Sequence, residues 1–223
     1  MVYKIFKPFS GIISHGVTDK AFGSFNDDEP DFLKSLKKLS EKTGLPAPVF
    51  AEQIHGDSVL LLSDRPTEKP KCDGFITNLT GLPLMVKVAD CQGILMFDPI
   101  NSAIACVHSG WRSSVKNIIG KAIGKMGKEF GTKPENLLIG ISPSLGPCCA
   151  EFSDPDNELP AFMRPYLKGH HADFWQLSLD QCMEAGVPKK NIEIAGVCTK
   201  CDPDCFSHRR GDSGRMAVFI DLI

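Results

Sequence analysis

Three short islands in this chain each carry one metal-capable side chain, and each follows an apolar run that reads as a buried strand. They are Gln53-Ile54-His55-Gly56, Val88-Ala89-Asp90-Cys91 and Val107-His108-Ser109-Gly110-Trp111-Arg112. They lie far apart in sequence, so they act together only in a fold that brings three strand ends to one place. A borderline-soft cation such as zinc takes imidazole nitrogen and thiolate sulfur. Convergence of His55, Cys91 and His108 would supply two nitrogens, one sulfur and an open position, which is the stoichiometry of a catalytic site. Singly, the same residues also read as core or capping positions, and only convergence decides between the two.

The remaining pattern points to a mixed sheet flanked by helices. Strands are expected at Ile12–Val17, Val49–Ile54, Val59–Ser63, Asp73–Thr77, Leu84–Ala89, Ile94–Asp98, Ala103–His108, Leu137–Ile141, Ile192–Val197 and Ala217–Leu222. The Asp98-Pro99-Ile100-Asn101-Ser102 turn predicts a hairpin between two of them. A helix is expected over Asp31–Gly44, capped by Asp31 and with Phe32, Leu33, Leu36 and Leu39 as its apolar stripe. A second, long helix is expected from about Ser113 to Phe130, where apolar residues recur at helical spacing, and a third over Leu177–Ala185. Residues 153–170 read as short helix and loop. The fold class is α+β in a single domain spanning residues 1–223.

Several function classes are disfavoured. The net charge of −2 predicts neither nucleic-acid nor anionic-membrane binding. No apolar run reaches membrane-spanning length, and the N-terminus is too short and punctuated for a signal peptide. A cytosolic protein is the expectation, so the nine cysteines read as free thiols and metal ligands rather than a disulfide framework. No zinc-deaminase signature, P-loop, G-x-S-x-G or G-x-G-x-x-G occurs.

Residues around the islands suggest supporting roles. Arg112, at the start of the expected long helix, joins backbone N–H groups as a candidate phosphate contact. Asp90 is a candidate carboxylate for orienting a ligating histidine or a water. Cys198, Cys201, Cys205 and His208 place four possible ligands within eleven residues. They could form a structural zinc knuckle or, with Arg209, Arg210 and Arg215 nearby, an anion-facing loop.

Taken jointly, certain pieces resemble one known family. They are Gln53-Ile54-His55, Asp73-Gly74-Phe75-Ile76-Thr77, Ala89-Asp90-Cys91, His108-Ser109-Gly110-Trp111-Arg112, Gly146-Pro147-Cys148-Cys149 with Glu151, and Cys198-Thr199 leading to Phe206-Ser207-His208-Arg209-Arg210 and Gly214-Arg215. The chain resembles the laccase-domain family, also called the multicopper polyphenol oxidoreductase or YfiH family. The resemblance implies metal ligation by His55, Cys91 and His108, and a three-layer α/β/α arrangement around a mixed sheet. It further implies phosphorolysis of adenosine, inosine and methylthioadenosine, with deamination of adenosine. A zinc that activates water at neutral pH suits attack on the purine carbon bearing the amino group. Asp90 joins the ligands as a candidate catalytic residue. Substrate and phosphate contacts would fall on Gln53, Arg112, His208, Arg209 and Arg215, with Asp90 or His208 as candidate acid for the departing base. The partners are then a purine nucleoside and phosphate, bound by a monomer or homodimer.

The family's laccase name fits less well. Four coppers need more than the six histidines present, so zinc is expected over copper and a copper-dependent phenol oxidase is the least favoured reading. The chain also departs from the family pattern. Gly93, Ser113 and Ala150 replace the usual proline, glycine and aromatic, and no arginine stands in the stretch Val17–Gly23, where Lys20 is the nearest cation. Two other readings compete. One is a metal-independent hydrolase of amides, of the kind that edits cell-wall peptides, with Cys91 as nucleophile and His108 as base. The other is a non-catalytic metal-binding module.

Overall fold

The computed structural model describes residues 1–223. Its strands, in chain order, are β1 (Ile13–Val17), β2 (Val59–Leu61), β3 (Gly74–Thr77), β4 (Leu84–Val88), β5 (Gln92–Asp98), β6 (Ala103–Ser109), β7 (Leu138–Ile141), β8 (Leu167–Lys168), β9 (His171–Ala172), β10 (Ile192–Ile194) and β11 (Met216–Leu222). The helices are α1 (Phe32–Thr43), α2 (Trp111–Val115), α3 (Ile118–Phe130), α4 (Pro155–Glu158) and α5 (Phe174–Glu184). None is long and apolar enough to cross a membrane.

The predicted hairpin forms the centre. Asp98 closes its turn by accepting the N–H groups of Ile100 at 2.9 Å and Asn101 at 3.2 Å. Around β5 and β6 a mixed six-stranded sheet grows in the order β10-β7-β5-β6-β3-β2, parallel at both outer pairs and antiparallel within. A second sheet, β1-β11-β4, is antiparallel throughout.

Alternation along the strands assigns each face a partner. Phe75, Leu95, Phe97, Ile104 and Cys106 of the larger sheet meet Val86, Val88, Met216, Val218 and Ile220 of the smaller one. On the opposite face Ile76, Ile94, Met96, Ala105 and Val107 pack under α3. The outer face of the small sheet, with Met85, Ala217 and Phe219, packs under α1. Helices therefore cover both sides, as the sequence predicts, and the β layer between them is two sheets thick.

Differences from the sequence expectations have local causes. Val49–Ile54 is not a strand and makes only single bridges, Val49 to Leu84 and Glu52 to Lys71. The expected long helix is broken at Asn117, which adopts φ 55° and ψ 52° and accepts the N–H of Gly120 as the cap of α3. Asparagine tolerates this left-handed geometry and favours caps over helix interiors, a preference that apolar periodicity does not register. In α1, Asp31 makes no capping hydrogen bond and Leu33 is 73% exposed, so Phe32 and Leu39 carry the packing. The end of that helix is as expected, with Gly44 in the left-handed region at φ 73°. Helix α5 starts earlier than expected, because Asp173 caps it by accepting the Gln176 N–H. Strand β10 stops at Ile194, and Gly196 turns the chain at φ 64°.

Candidate active site

Sheet register explains how the three islands meet. In β6, Val107 pairs with Gly74 on one side and His108 pairs with Gly93 on the other. His108 therefore lies between the start of β3 and the turn that joins β4 to β5, which places Asp73 and Cys91 beside it. The N–H of His108 donates to the Asp73 carbonyl at 2.7 Å. His55 arrives from the segment before β2, in a left-handed conformation with φ 55°.

The donor atoms of His55, Cys91 and His108 all lie within 4.8 Å of one another. The two imidazoles meet edge to face, with ring centroids 4.8 Å apart and planes at 90°. Gly110 makes room for this arrangement. A Cβ at that position would stand 3.0 Å from Cys91 Sγ and 3.1 Å from His55 Cδ2. Because Gly110 has an ordinary φ of −76°, alanine would fit the backbone there. Gly110→Ala is thus expected to keep the fold but weaken metal binding by at least tenfold, as a chelator-competition titration with matched thermal melts would show.

The residue that organises the site is Asp73, fully buried at the start of β3. Its Oδ1 sits 2.9 Å from His108 Nδ1 and accepts the N–H of His55 at 2.9 Å, while Oδ2 accepts the N–H of Gly56 at 2.7 Å. One carboxylate thereby fixes the His108 ring, leaves its Nε2 for a ligand, and holds the strained backbone of His55. Burial raises the Asp73 pKa, but the His108 contact and the two backbone N–H groups outweigh it and leave it lowered.

The same interactions charge the thiol. Burial works against a Cys91 thiolate, yet the charge of His108 and contacts with both imidazoles bring its pKa down to about 6. Burial likewise opposes a charged His108, and Cys91 together with Asp73 raises it to about 9.

Asp90 has a different task from the one the sequence suggested. Its carboxylate accepts the Thr199 hydroxyl and the Arg209 N–H, each at 2.6 Å, and does not touch a ligating histidine. Held at φ 82°, Asp90 ties the β4–β5 turn to the segment from Cys198 to Arg215. Its side chain is an acceptor in both contacts and so is not placed to donate a proton. Gln53 is also engaged: its amide donates to the Lys87 carbonyl and accepts the Lys87 N–H, both at 2.8 Å. That clamp on β4 leaves little of Gln53 for a substrate.

A cleft of about 790 Å³ opens over the three donor residues. The nine residues expected as ligands, catalytic groups or substrate contacts all line it: Gln53, His55, Asp90, Cys91, His108, Arg112, His208, Arg209 and Arg215. Sequence reasoning missed Asp73, which sits behind the ligands. It also missed the aromatic wall of Trp111, Phe152 and Phe174, whose neighbouring centroids are 5.8 and 6.0 Å apart. The cationic pair Lys69 and Lys87, both bound to Asp27, was missed as well. Asp73 had been visible only as one letter of a resembling piece, since nothing in the sequence marks a carboxylate behind a histidine.

Two expectations need correction. The sequence pattern puts Arg112 at the start of a long helix, but α2 is five residues long. The macrodipole there is correspondingly small, so Arg112 contributes its own guanidinium, which stacks 4.1 Å from the Trp111 ring. The grouping of Cys198 and Cys201 with Cys205 and His208 also fails. Cys205 is buried in the core between the sheets and His208 lines the cleft, whereas Cys198 and Cys201 lie beside Cys148 and Cys149. Lys20 pairs with Asp212 at 2.9 Å and does not line the cleft.

A family model described as multi-copper polyphenol oxidoreductase laccase matches residues 13–223. The chain belongs to that family. Among its relatives is the purine nucleoside phosphorylase YlmD of Geobacillus stearothermophilus, 30% identical, with 96% of this chain and 91% of that protein covered. The purine nucleoside phosphorylase YfiH of Escherichia coli is also 30% identical, over 90% of this chain and 85% of its own length. The crystal structure of the G. stearothermophilus YlmD superposes with a TM-score of 0.84 at 27% identity, covering 96% of this chain and 93% of the other.

The copper set in the family's description does not match the donors present. His15 accepts the Tyr3 N–H, His170 contacts the Phe152 carbonyl, His171 lies in β9 and His208 lines the cleft outside the donor cluster, so only two imidazoles join that cluster. Two nitrogens and one thiolate instead suit a single borderline-soft ion.

Proposed function

We propose that the protein is a zinc-dependent purine nucleoside phosphorylase acting on inosine, adenosine and methylthioadenosine, with adenosine deamination in the same cleft. The observation that carries this reading is the His55–Cys91–His108 triad beneath a cleft lined by arginines and aromatic rings. The names of the relatives agree with its phosphorylase part.

The donor set fits zinc. Tetrahedral bonds of about 2.0–2.3 Å set ligand atoms about 3.5 Å apart, which donors lying within 4.8 Å of one another can accommodate. A zinc ion held there would supply Lewis acidity at its open fourth position. The side chains around it account for binding and proton handling. Trp111, Phe152 and Phe174 offer flat apolar surface to the purine. Arg112, Arg209 and Arg215 hold phosphate by charge-assisted hydrogen bonds beside the ribose. A phosphate oxygen bonds to C1′ as the bond from C1′ to N9 breaks, and its electron pair passes into the purine. The His208 imidazole donates a proton to N7 of that departing base, a role for which Asp90 is not placed. In deamination water replaces the amino group and ammonia leaves, so no phosphate contact is required.

Arg112→Ala is therefore expected to slow phosphorolysis about 10–100-fold, since a hydrogen bond to a charged group contributes ~1.5–3 kcal/mol. Adenosine deamination should be nearly unchanged, as parallel assays of purine release and ammonia release would show. Equal losses in both would remove Arg112 from the phosphate site.

A second reading is favoured by one observation: Asp73, His108 and Cys91 stand in the order of a Cys–His–Asp hydrolase. The two readings differ in the thiol. In metal-free protein the alkylation rate of Cys91 should rise from low pH to a midpoint near its lowered value of about 6 and then level off. A thiol at the ordinary value of 9.0 would still be gaining reactivity through pH 9. Zinc should abolish the reaction. A zinc-loaded protein in which Cys91 still alkylates and cleaves amides would favour the hydrolase.

A further inference from the structure

We infer that Cys148, Cys149, Cys198 and Cys201 form a second metal site, an all-thiolate centre for zinc that joins the two loops walling the cleft. The four sulfurs come from two segments with 48 residues between them in sequence and all lie within 4.8 Å of one another. Cys149 Sγ is 3.5 Å and Cys148 Sγ 3.8 Å from Cys201 Sγ, and all four thiols are free. Zinc–sulfur bonds of about 2.3 Å in a tetrahedron set sulfur atoms about 3.8 Å apart. The two spacings to Cys201 match that edge and the others stay within 4.8 Å, whereas a disulfide would need about 2.05 Å. Chemistry agrees with geometry, because four thiolates closed around one ion are a structural zinc set.

The backbone is built to bring these sulfurs together. Ser144 bridges Cys198 in parallel, with the Ser144 N–H donating to the Val197 carbonyl at 3.1 Å and the Thr199 N–H to the Ser144 carbonyl at 3.0 Å. Gly146 lies against this junction, where a Cβ would stand 3.1 Å from that of Cys198 and 2.9 Å from the Trp175 ring. Only glycine allows so close an approach. Backbone N–H groups of Gly146 and Cys201 point at Cys198 sulfur and favour its thiolate against the opposing effect of burial. Cys198 and Cys201 have the C-x2-C spacing of a zinc half-site, and the turn between them closes through the Cys201 N–H to the Cys198 carbonyl at 3.1 Å.

The location gives the centre a task. The loop after Cys149 leads to Phe152 in the aromatic wall, and the segment after Cys201 leads to His208 and Arg209. Arg209 Nη1 donates to the Glu151 carbonyl across the same gap at 2.9 Å. A metal there would hold both walls in register over the triad.

The test is zinc content in Cys91→Ala protein, where the catalytic triad is broken. About one zinc per chain is expected to remain, and to be lost in Cys91→Ala/Cys149→Ser/Cys201→Ser. Titrating the intact Cys91→Ala protein with a mercurial, while a metallochromic dye reads free zinc, gives a second measure that does not depend on the triple variant folding. Zinc should be released in step with modification of about four thiols per ion. Cys91→Ala protein without zinc would overturn the inference, as would four freely reactive thiols or a disulfide among them. Loss of metal from the triad alone, with this zinc retained, would bear on the proposed activity and leave the thiolate centre standing.

Discussion

Cys91→Ala is expected to remove one zinc per chain and to lower phosphorolysis by about 10³-fold, the equivalent of several kcal/mol of electrostatic stabilisation. The fold should survive, because Cys91 is only half-buried under the cleft and its removal leaves the Asp73–His108 pair intact. His55→Ala should act in the same way. His108→Ala should cost activity and also stability, because it leaves the fully buried Asp73 carboxylate without its imidazole. Breaking a buried pair by removing one partner costs about 3–5 kcal/mol. Thermal melts of metal-free protein separate the cases: Cys91→Ala and His55→Ala near wild type, His108→Ala clearly lower. Equal destabilisation by all three would mean that they serve packing rather than ligation.

Asp73 carries the second large expectation. Asp73→Ala leaves the buried His108 Nδ1 and the partly buried N–H groups of His55 and Gly56 without an acceptor. A loss of about 3–5 kcal/mol follows from stranding such groups. The milder Asp73→Asn should retain the fold and weaken zinc by about 10–100-fold, as replacing the partner of a metal-binding histidine does. Asp90→Asn is the informative control. It should loosen the contacts to Thr199 and Arg209 and leave zinc affinity near wild type. Chelator competition on both variants decides the matter, and a larger metal defect in Asp90→Asn would return the orienting role to Asp90.

That contrast shows where sequence reasoning reached its limit. Apolar runs and turn residues located the central hairpin and the other main strands, because burial on both faces and an Asp-Pro turn leave their mark in composition. The ligands were legible because each stands at the end of such a run. Which carboxylate meets His108 depends on register between β3 and β6, and both Asp73 and Asp90 look suitable along the chain. The helix break at Asn117 was hidden for a similar reason, since Val115 and Ile118 continue the apolar spacing across it. The thiolate cluster was half visible: Cys198 and Cys201 were grouped, but their partners come from a loop that only the Ser144–Cys198 bridge brings near.

The most direct test of the account pairs zinc content with phosphate-dependent release of hypoxanthine from inosine, measured on the same preparations of wild-type and Cys91→Ala protein. The account predicts that the variant has one zinc fewer per chain, together with loss of the phosphate-dependent reaction. Wild-type protein whose zinc content is unchanged by Cys91→Ala, or a variant that still releases hypoxanthine at the wild-type rate, would contradict it.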